Sequence, residues 1–232
     1  MEAVDCPLPV PAPGSYLCWA DCWPQHVAVA TPWSACVAPG LTALIDVSGD
    51  EARHWLPLLA GQVPRAQGAL GWRAAVATEP ASWQPLLPEM VAWWPAHAQP
   101  PDPRQHVRDW VQGWRRRWPG WDAQAWQAHL EGFALQAQCD KPVAHLSTGT
   151  WRKLGLAATL ACGAPLALID APTAGLDQAS VRYLAQALQA VGQDIACGAQ
   201  PPRWVLVAHW APLPGVDWSQ VLALPPCDAG PG

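Results

Sequence analysis

Three stretches of this chain hold side chains whose type and spacing could carry chemistry. The first is Ser147 and Gly149, within Leu146-Ser147-Thr148-Gly149-Thr150, immediately before a helical pattern that Arg152 and Lys153 open. A serine beside free amides at a helix start is a competent anion site, because unpaired N–H groups and the helix dipole both point there. A plain N-cap explains the same serine equally well. The second is Asp170, which ends the apolar run Leu166–Ile169, and His209, which follows Trp204–Ala208. Both therefore stand at the ends of expected strands. The third is Asp46-Val47-Ser48-Gly49-Asp50-Glu51-Ala52-Arg53-His54, between the apolar runs Leu41–Ile45 and Leu56–Gly61.

These groups need a scaffold of alternating strands and helices, and the pattern supplies one. Short apolar runs separated by Pro and Gly predict strands at Tyr16–Ala20, Val27–Ala30 and Leu41–Ile45, with a hairpin pair from Gly68 to Ala77. Trp55 to Ala60 predicts a helix despite Pro57, stopped by Gly61. From Trp83 to about His145, Trp, Gln, Ala and Arg at helical spacing, punctuated by Pro, predict a helical insert. A helix, a strand ending at Asp170, a helix from about Gln178 to Val191 and a strand from Trp204 complete the series. The fold class is α/β, with a mainly parallel sheet. Residues 1–15 are expected to be a flexible tail, 16–215 one domain with the insert at about 83–145, and 216–232 a C-terminal tail.

The stretch Leu146 to Asp177 resembles the back half of an ATP-binding cassette (ABC) ATPase. Leu146-Ser147-Thr148-Gly149-Thr150 stands where that family has its LSGGQ signature, Leu166 to Asp170 where it has Walker B, and Ala174 to Asp177 where it has the D-loop. His209 occupies the place of the switch histidine. The resemblance implies a P-loop-NTPase-like domain with an N-terminal antiparallel part and a helical subdomain. It also implies that Ala171 replaces the glutamate serving as general base, which leaves no catalytic residue at the chain's own site.

The family places G-x-x-G-x-G-K-S/T between the runs that flank residues 46–54. Here Asp46 stands for the first glycine, Glu51 for the last, Ala52 for the lysine and Arg53 for the magnesium-binding hydroxyl; only Gly49 is kept. Phosphate needs close backbone approach and a positive field, whereas three carboxylates face one guanidinium here. Arg53 is expected to pair with Asp50 or Glu51, which are ordinary residues near a helix start. The family's Q-loop glutamine falls near Ala77-Thr78-Glu79-Pro80, where there is none.

The reading that follows is a degenerate ABC subunit that pairs with a competent ATPase and a membrane permease. Ser147 and its neighbours, with Asp177, would complete the partner's site. No nucleotide would be held tightly by the isolated chain, and ATP with magnesium would bind only in a composite dimer site. Alternatives are an active ABC ATPase with a non-standard phosphate loop and a non-catalytic scaffold. A hydrolase, with Ser147, Asp170 and His209 in triad order, lacks the G-x-S-x-G elbow. Trp83, Trp93 and Trp94 fall where the family docks its permease.

Composition narrows the classes. A net charge of −5 gives no reason to expect nucleic acid. No metal is expected, since the eight cysteines show neither CxxC nor Cys/His zinc spacing, and they read as free thiols in a reducing cytosol. The N-terminus lacks the regions of a signal peptide. The apolar run Leu154 to Ile169 is broken by Gly163-Ala164-Pro165, so it reads as helix, turn and strand. The expected location is cytoplasmic, at the cytoplasmic face of the inner membrane through the permease.

Overall fold

The computed structural model describes residues 11–29, 32–74, 80–100 and 102–228. Its strands are β1 (Ser15–Pro24), β2 (Ala28–Val29), β3 (Trp33–Val37), β4 (Gly40–Ile45), β5 (Arg65–Ala74), β6 (Gln84–Pro85), β7 (Val91–Trp94), β8 (Leu166–Asp170), β9 (Trp204–His209), β10 (Gln220–Ala223) and β11 (Cys227–Asp228). Its helices are α1 (Ala52–Leu59), α2 (Val107–Arg117), α3 (Ala123–Gly132), α4 (Thr148–Ala161) and α5 (Gln178–Ala196).

A five-stranded sheet of order β10-β4-β9-β8-β7 forms the centre, and every neighbouring pair in it is parallel. Its inner strands are continuous apolar runs because both faces are covered. Side chains alternate between two cores, as a period of two requires. Leu44, Leu168, Leu206 and Trp204 face α1 and the antiparallel strands, where Trp55, Leu56 and Trp19 complete one cluster. Leu41, Ile169, Val205 and Val207 face α4 and α5 in the other. The second sheet has the order β3-β1-β5-β6 and is antiparallel.

Helix ends follow their local chemistry. Ser147 Oγ accepts from the Thr150 amide and caps α4, and Asp177 accepts from the Ser180 amide and caps α5. Gly61, at φ +68°, takes the left-handed turn after α1 that side chains disfavour. Gly155 lets α4 lie against β7: a Cβ there would overlap the Trp94 ring.

Six expectations need correction. The stretch 83–145 is not helical throughout, because Val91–Trp94 is an edge strand of the parallel sheet. Gly68 onward is not a hairpin: β5 is one strand paired with β1 and β6, and residues 75–79 lie outside the described residues. Residues 216–232 are not simply a tail, since β10 pairs with β4 in register Val221↔Ala43. The expected tail 1–15 ends in the first residue of β1, and residues 1–10 lie outside the described ones. Finally, Cys18 and Cys36 face each other across β1 and β3 and are joined by a disulfide, while Cys22, Cys139, Cys162 and Cys197 are free. The expected strand Val27–Ala30 is reduced to β2, and Ala30 is outside the described residues. No helix among the described residues is long and apolar enough to cross a membrane.

Candidate functional site

Parallel strands β4, β8 and β9 deliver Asp46, Asp170 and His209 to the same edge of the sheet, since each residue ends or directly follows its strand. The carboxyl edge of such a sheet is where ligands of open α/β folds bind. A cavity of about 280 Å³ opens there, walled by Asp46, Gly49, Asp170, Ala171, Thr173 and His209 among others.

The loop after β4 is closed on itself. Asp46 is 4% exposed, and its carboxylate accepts from the amides of its own loop. Oδ1 accepts from the Gly49 amide at 2.8 Å, the Glu51 amide at 3.3 Å and the Ser48 hydroxyl at 3.2 Å. Oδ2 accepts from the Ala52 amide, the first of α1, at 2.9 Å. These are the amides that a helix N-terminus would otherwise offer to a phosphate. Gly49 makes the turn at φ +81°.

The other acids of the loop point elsewhere. Asp50 pairs with Arg53 at 3.4 Å, as expected from the sequence. Glu51 accepts from the Ser48 hydroxyl and, through Oε2, from the Cys227 amide at 2.8 Å. Arg53 Nε also donates to His54 Nε2, and His54 Nδ1 lies 3.2 Å from His26 Nε2. Burial first, then Arg53 and His26, lowers the His54 pKa.

Asp170 is held differently. Burial pushes its carboxyl up, and nearby Asp46 adds to that, against the lowering effects of the Ala96 amide, Arg152 and His97. The Ala96 N–H donates to Oδ2 at 3.2 Å. The loop beside Asp170 is therefore the one that follows β7, whereas 77–79, where the Q-loop glutamine was sought, lie outside the described residues. The sequence reading missed Ala96 and His97 because it placed β7 in a helical region.

Ala171 sits at φ +42° with its amide on Ala208 O, and only a methyl group follows Asp170. Its carbonyl accepts from Arg152, whose buried guanidinium reaches from α4. His209 is pinned at both nitrogens. Nδ1 lies 2.8 Å from Ala211 O and 3.4 Å from the Ala211 amide, and Nε2 lies 2.8 Å from the Thr173 hydroxyl. Thr173 has no sequence signal of its own. Trp210, next in the chain, is 70% exposed.

Ser147, Thr148 and Thr150 do not line this cavity. The Ser147 hydroxyl is spent on the Thr150 amide and on Thr150 Oγ1. Leu146 packs against the core. Gly149 abuts the D-loop: an added Cβ would be 2.9 Å from Gly175 O. Lys153 Nζ meets Asp177 Oδ2 at 2.6 Å, and with Ser180 it holds the Asp177 carboxyl well below the usual range. Trp23 is half-buried against the core of α1. No group of three His, Cys, Asp or Glu side chains that could hold a metal occurs among the described residues.

Comparison with known proteins bears on the family and the fold. A family model described as ABC transporter matches residues 55–174, beginning directly after the self-closed loop. The chain is 34% identical over 152 residues to the cytochrome c biogenesis ATP-binding export protein CcmA of Cereibacter sphaeroides, covering 63% of this chain and 69% of that protein. With the CcmA of Ruegeria pomeroyi it is 43% identical over 61 residues, covering 26% of this chain and 30% of that protein. In three such relatives the matched stretch spans only 30 to 46% of their length. Among solved structures, an ABC transporter ATP-binding protein from Pyrococcus furiosus superposes with a TM-score of 0.69 at 14% identity, covering 90% of this chain and 97% of that one, a likeness of fold.

Proposed function

Because the chain belongs to the ABC transporter family, we propose that it is an ATP-binding-cassette subunit whose own phosphate loop is closed by its own carboxylate, and which works beside a competent ATPase and a permease. The observation that carries this reading is Asp46, which already fills the acceptor position for the Gly49, Glu51 and Ala52 amides. The residues present do not fit a magnesium-bound triphosphate. A second carboxylate, Asp170, faces the same cavity, the lysine position is Ala52, and the residue after Asp170 is Ala171. Each phosphate oxygen brought in would have to displace charge-assisted hydrogen bonds worth about 1.5–3 kcal/mol apiece. No hydrolytic step is therefore assigned to this chain.

What the subunit retains is the face that a partner uses. Ser147, Gly149 and Asp177 stand together at the start of α4 and α5, joined by the Gly149–Gly175 approach and the Lys153–Asp177 pair. In a dimer they would complete the other subunit's nucleotide site. A groove of about 480 Å³ beside β7, lined by Trp93, Trp110, Trp114 and Trp118, offers the permease an aromatic seat. Of the sequence's docking candidates, Trp93 lines it, while Trp94 is buried against Trp110 and Trp151. The relatives' names support an export task in cytochrome c biogenesis.

Titration calorimetry of magnesium-ATP against the isolated chain tests the central claim. No saturable binding is expected up to about 1 mM nucleotide, whereas a Kd below roughly 50 μM would overturn it. The partner claim is read separately, by whether the tagged chain co-purifies from cells with an ATPase and a permease.

A further inference from the structure

A cavity of about 840 Å³ lies at the other end of the parallel sheet, in the size range of small-molecule sites, about 300–1,000 Å³. Its walls come from α3, the end of α4, α5 and the segment 199–203 that leads into β9. Strands β8 and β9 start beside it, directly after Pro165 and Arg203, and end at the site described above. Ser147 is likewise at the opposite end of α4, about 20 Å away for a helix of that length.

Arg203, Asp122 and Asp194 are the charged side chains that line this cavity. Arg203 lines it and is 4% exposed, yet makes no ion pair among the described residues. Its Nη1 and Nη2 donate to Leu160 O at 3.2 Å and Thr159 O at 3.4 Å, and its Nε has no partner. Two helix-terminal carbonyls offset part of the cost of burying a guanidinium, and three of its five N–H donors remain. His129, 6% exposed on α3, adds no negative charge. Tyr183 Oη donates to Ala128 O at 3.0 Å and lies 2.9 Å from His129 Nδ1. His129 Nε2 is left without a partner.

The walls between these groups are apolar, from Trp118, Leu160, Ala187 and Val191. Two carboxylates border the cavity, and both are occupied. Asp122 caps α3 through the Gln124 and Ala125 amides, and Asp194 accepts from Gln200 Nε2. They would repel a phosphate dianion more than a monoanion. A carboxylate matches a guanidinium in charge and in fork geometry.

We propose that this cavity binds a small molecule with a hydrocarbon body and a single carboxylate, which pairs with Arg203. The site is separate from the nucleotide loop and does not depend on its state.

The test is calorimetric titration of the full-length chain with decanoate, decanol and inorganic phosphate. Decanoate is expected to bind with one-to-one stoichiometry, at least about ten-fold tighter than decanol or phosphate. Arg203→Met should weaken decanoate by about ten-fold or more. Because that variant also uncaps α4 and can fail to fold, Ala190→Phe provides a second variant. Ala190 is exposed on α5 and lines the cavity, so its replacement adds bulk there and removes no polar contact. It too should weaken decanoate about ten-fold. Equal binding of decanol, no decanoate binding at about 1 mM, or full binding by Ala190→Phe would each overturn the assignment.

Discussion

Replacing Asp46 with alanine removes one carboxylate and strips the acceptor from three backbone amides at once, those of Gly49, Glu51 and Ala52. Gly49 is exposed and Glu51 half-exposed, so those amides rehydrate and lose little. The Ala52 amide is buried, and leaving it unpaired costs about 1–3 kcal/mol. Loss of the charge at the start of α1 adds about 0.3–1 kcal/mol. The variant should therefore be about 1.3–4 kcal/mol less stable, which for a chain of this size lowers Tm by roughly 3–16 °C. Asp46→Asn keeps one acceptor oxygen and should fall between the two. The decisive assay is thermal unfolding by circular dichroism in chloride and in sulfate at matched ionic strength. If Asp46 occupies an anion nest, sulfate should enter the vacated nest. At ten times its Kd it would restore about 1.4 kcal/mol, or roughly 3–6 °C, to Asp46→Ala and to no comparable extent the parent. A parent and variant that respond equally to sulfate, or a Tm loss under about 1 °C, would refute the reasoning.

Two further perturbations probe the scaffold. Burial holds the His129 pKa at about 4, below its ordinary 6.5, so the unfolded chain binds the proton more readily between those values. Stability should thus be lost as pH falls from 6.5 to 4, by roughly 3 kcal/mol in total. Urea midpoints at pH 7 and 4.5 should converge in His129→Gln, and parallel behaviour of parent and variant would contradict the assignment. Gly155→Ala drives a methyl group into Trp94 and should cost about 1–3 kcal/mol despite the better helix propensity of alanine. Gly113→Ala on α2 meets nothing within 4 Å and should gain about 0.5–1 kcal/mol by the same urea titration.

The parts of the fold legible in the sequence were those whose signal is local. Leu41–Ile45, Leu166–Asp170 and Trp204–His209 are buried on both faces, so they stand out as unbroken apolar runs between turn residues. Strand β7 was hidden because Val-Ala-Trp-Trp fits a helix as well as an edge strand, and only its pairing with β8 decides. Strand β10 was hidden for the same reason: Gln220–Ala223 alternates in exposure because one face is open, and four residues are too few for a period to show. The Cys18–Cys36 link depends on register between β1 and β3, which spacing along the chain does not give. The positions of Asp170, Ala171 and His209 at one sheet edge were legible because a parallel sheet forces strand ends together. The hold of Thr173 on His209 was not, because it joins two loops that no spacing relates.

The loop after β4 shows why a charge count is a poor guide to a site. Three carboxylates against one guanidinium suggest a diffuse repulsion of phosphate. The structure divides their work: Asp50 is spent on Arg53, and Glu51 ties the loop to the Cys227 amide. Only Asp46 enters the nest, where its two oxygens take four donors. Asp50→Asn or Glu51→Gln would reduce the acid count by the same amount as Asp46→Asn, yet leave every donor to Asp46 engaged. On the proposed reading, occupancy of the amides, and not the summed charge, is what would exclude an incoming anion. It follows that sulfate should distinguish Asp46 variants from Asp50 and Glu51 variants of identical net charge.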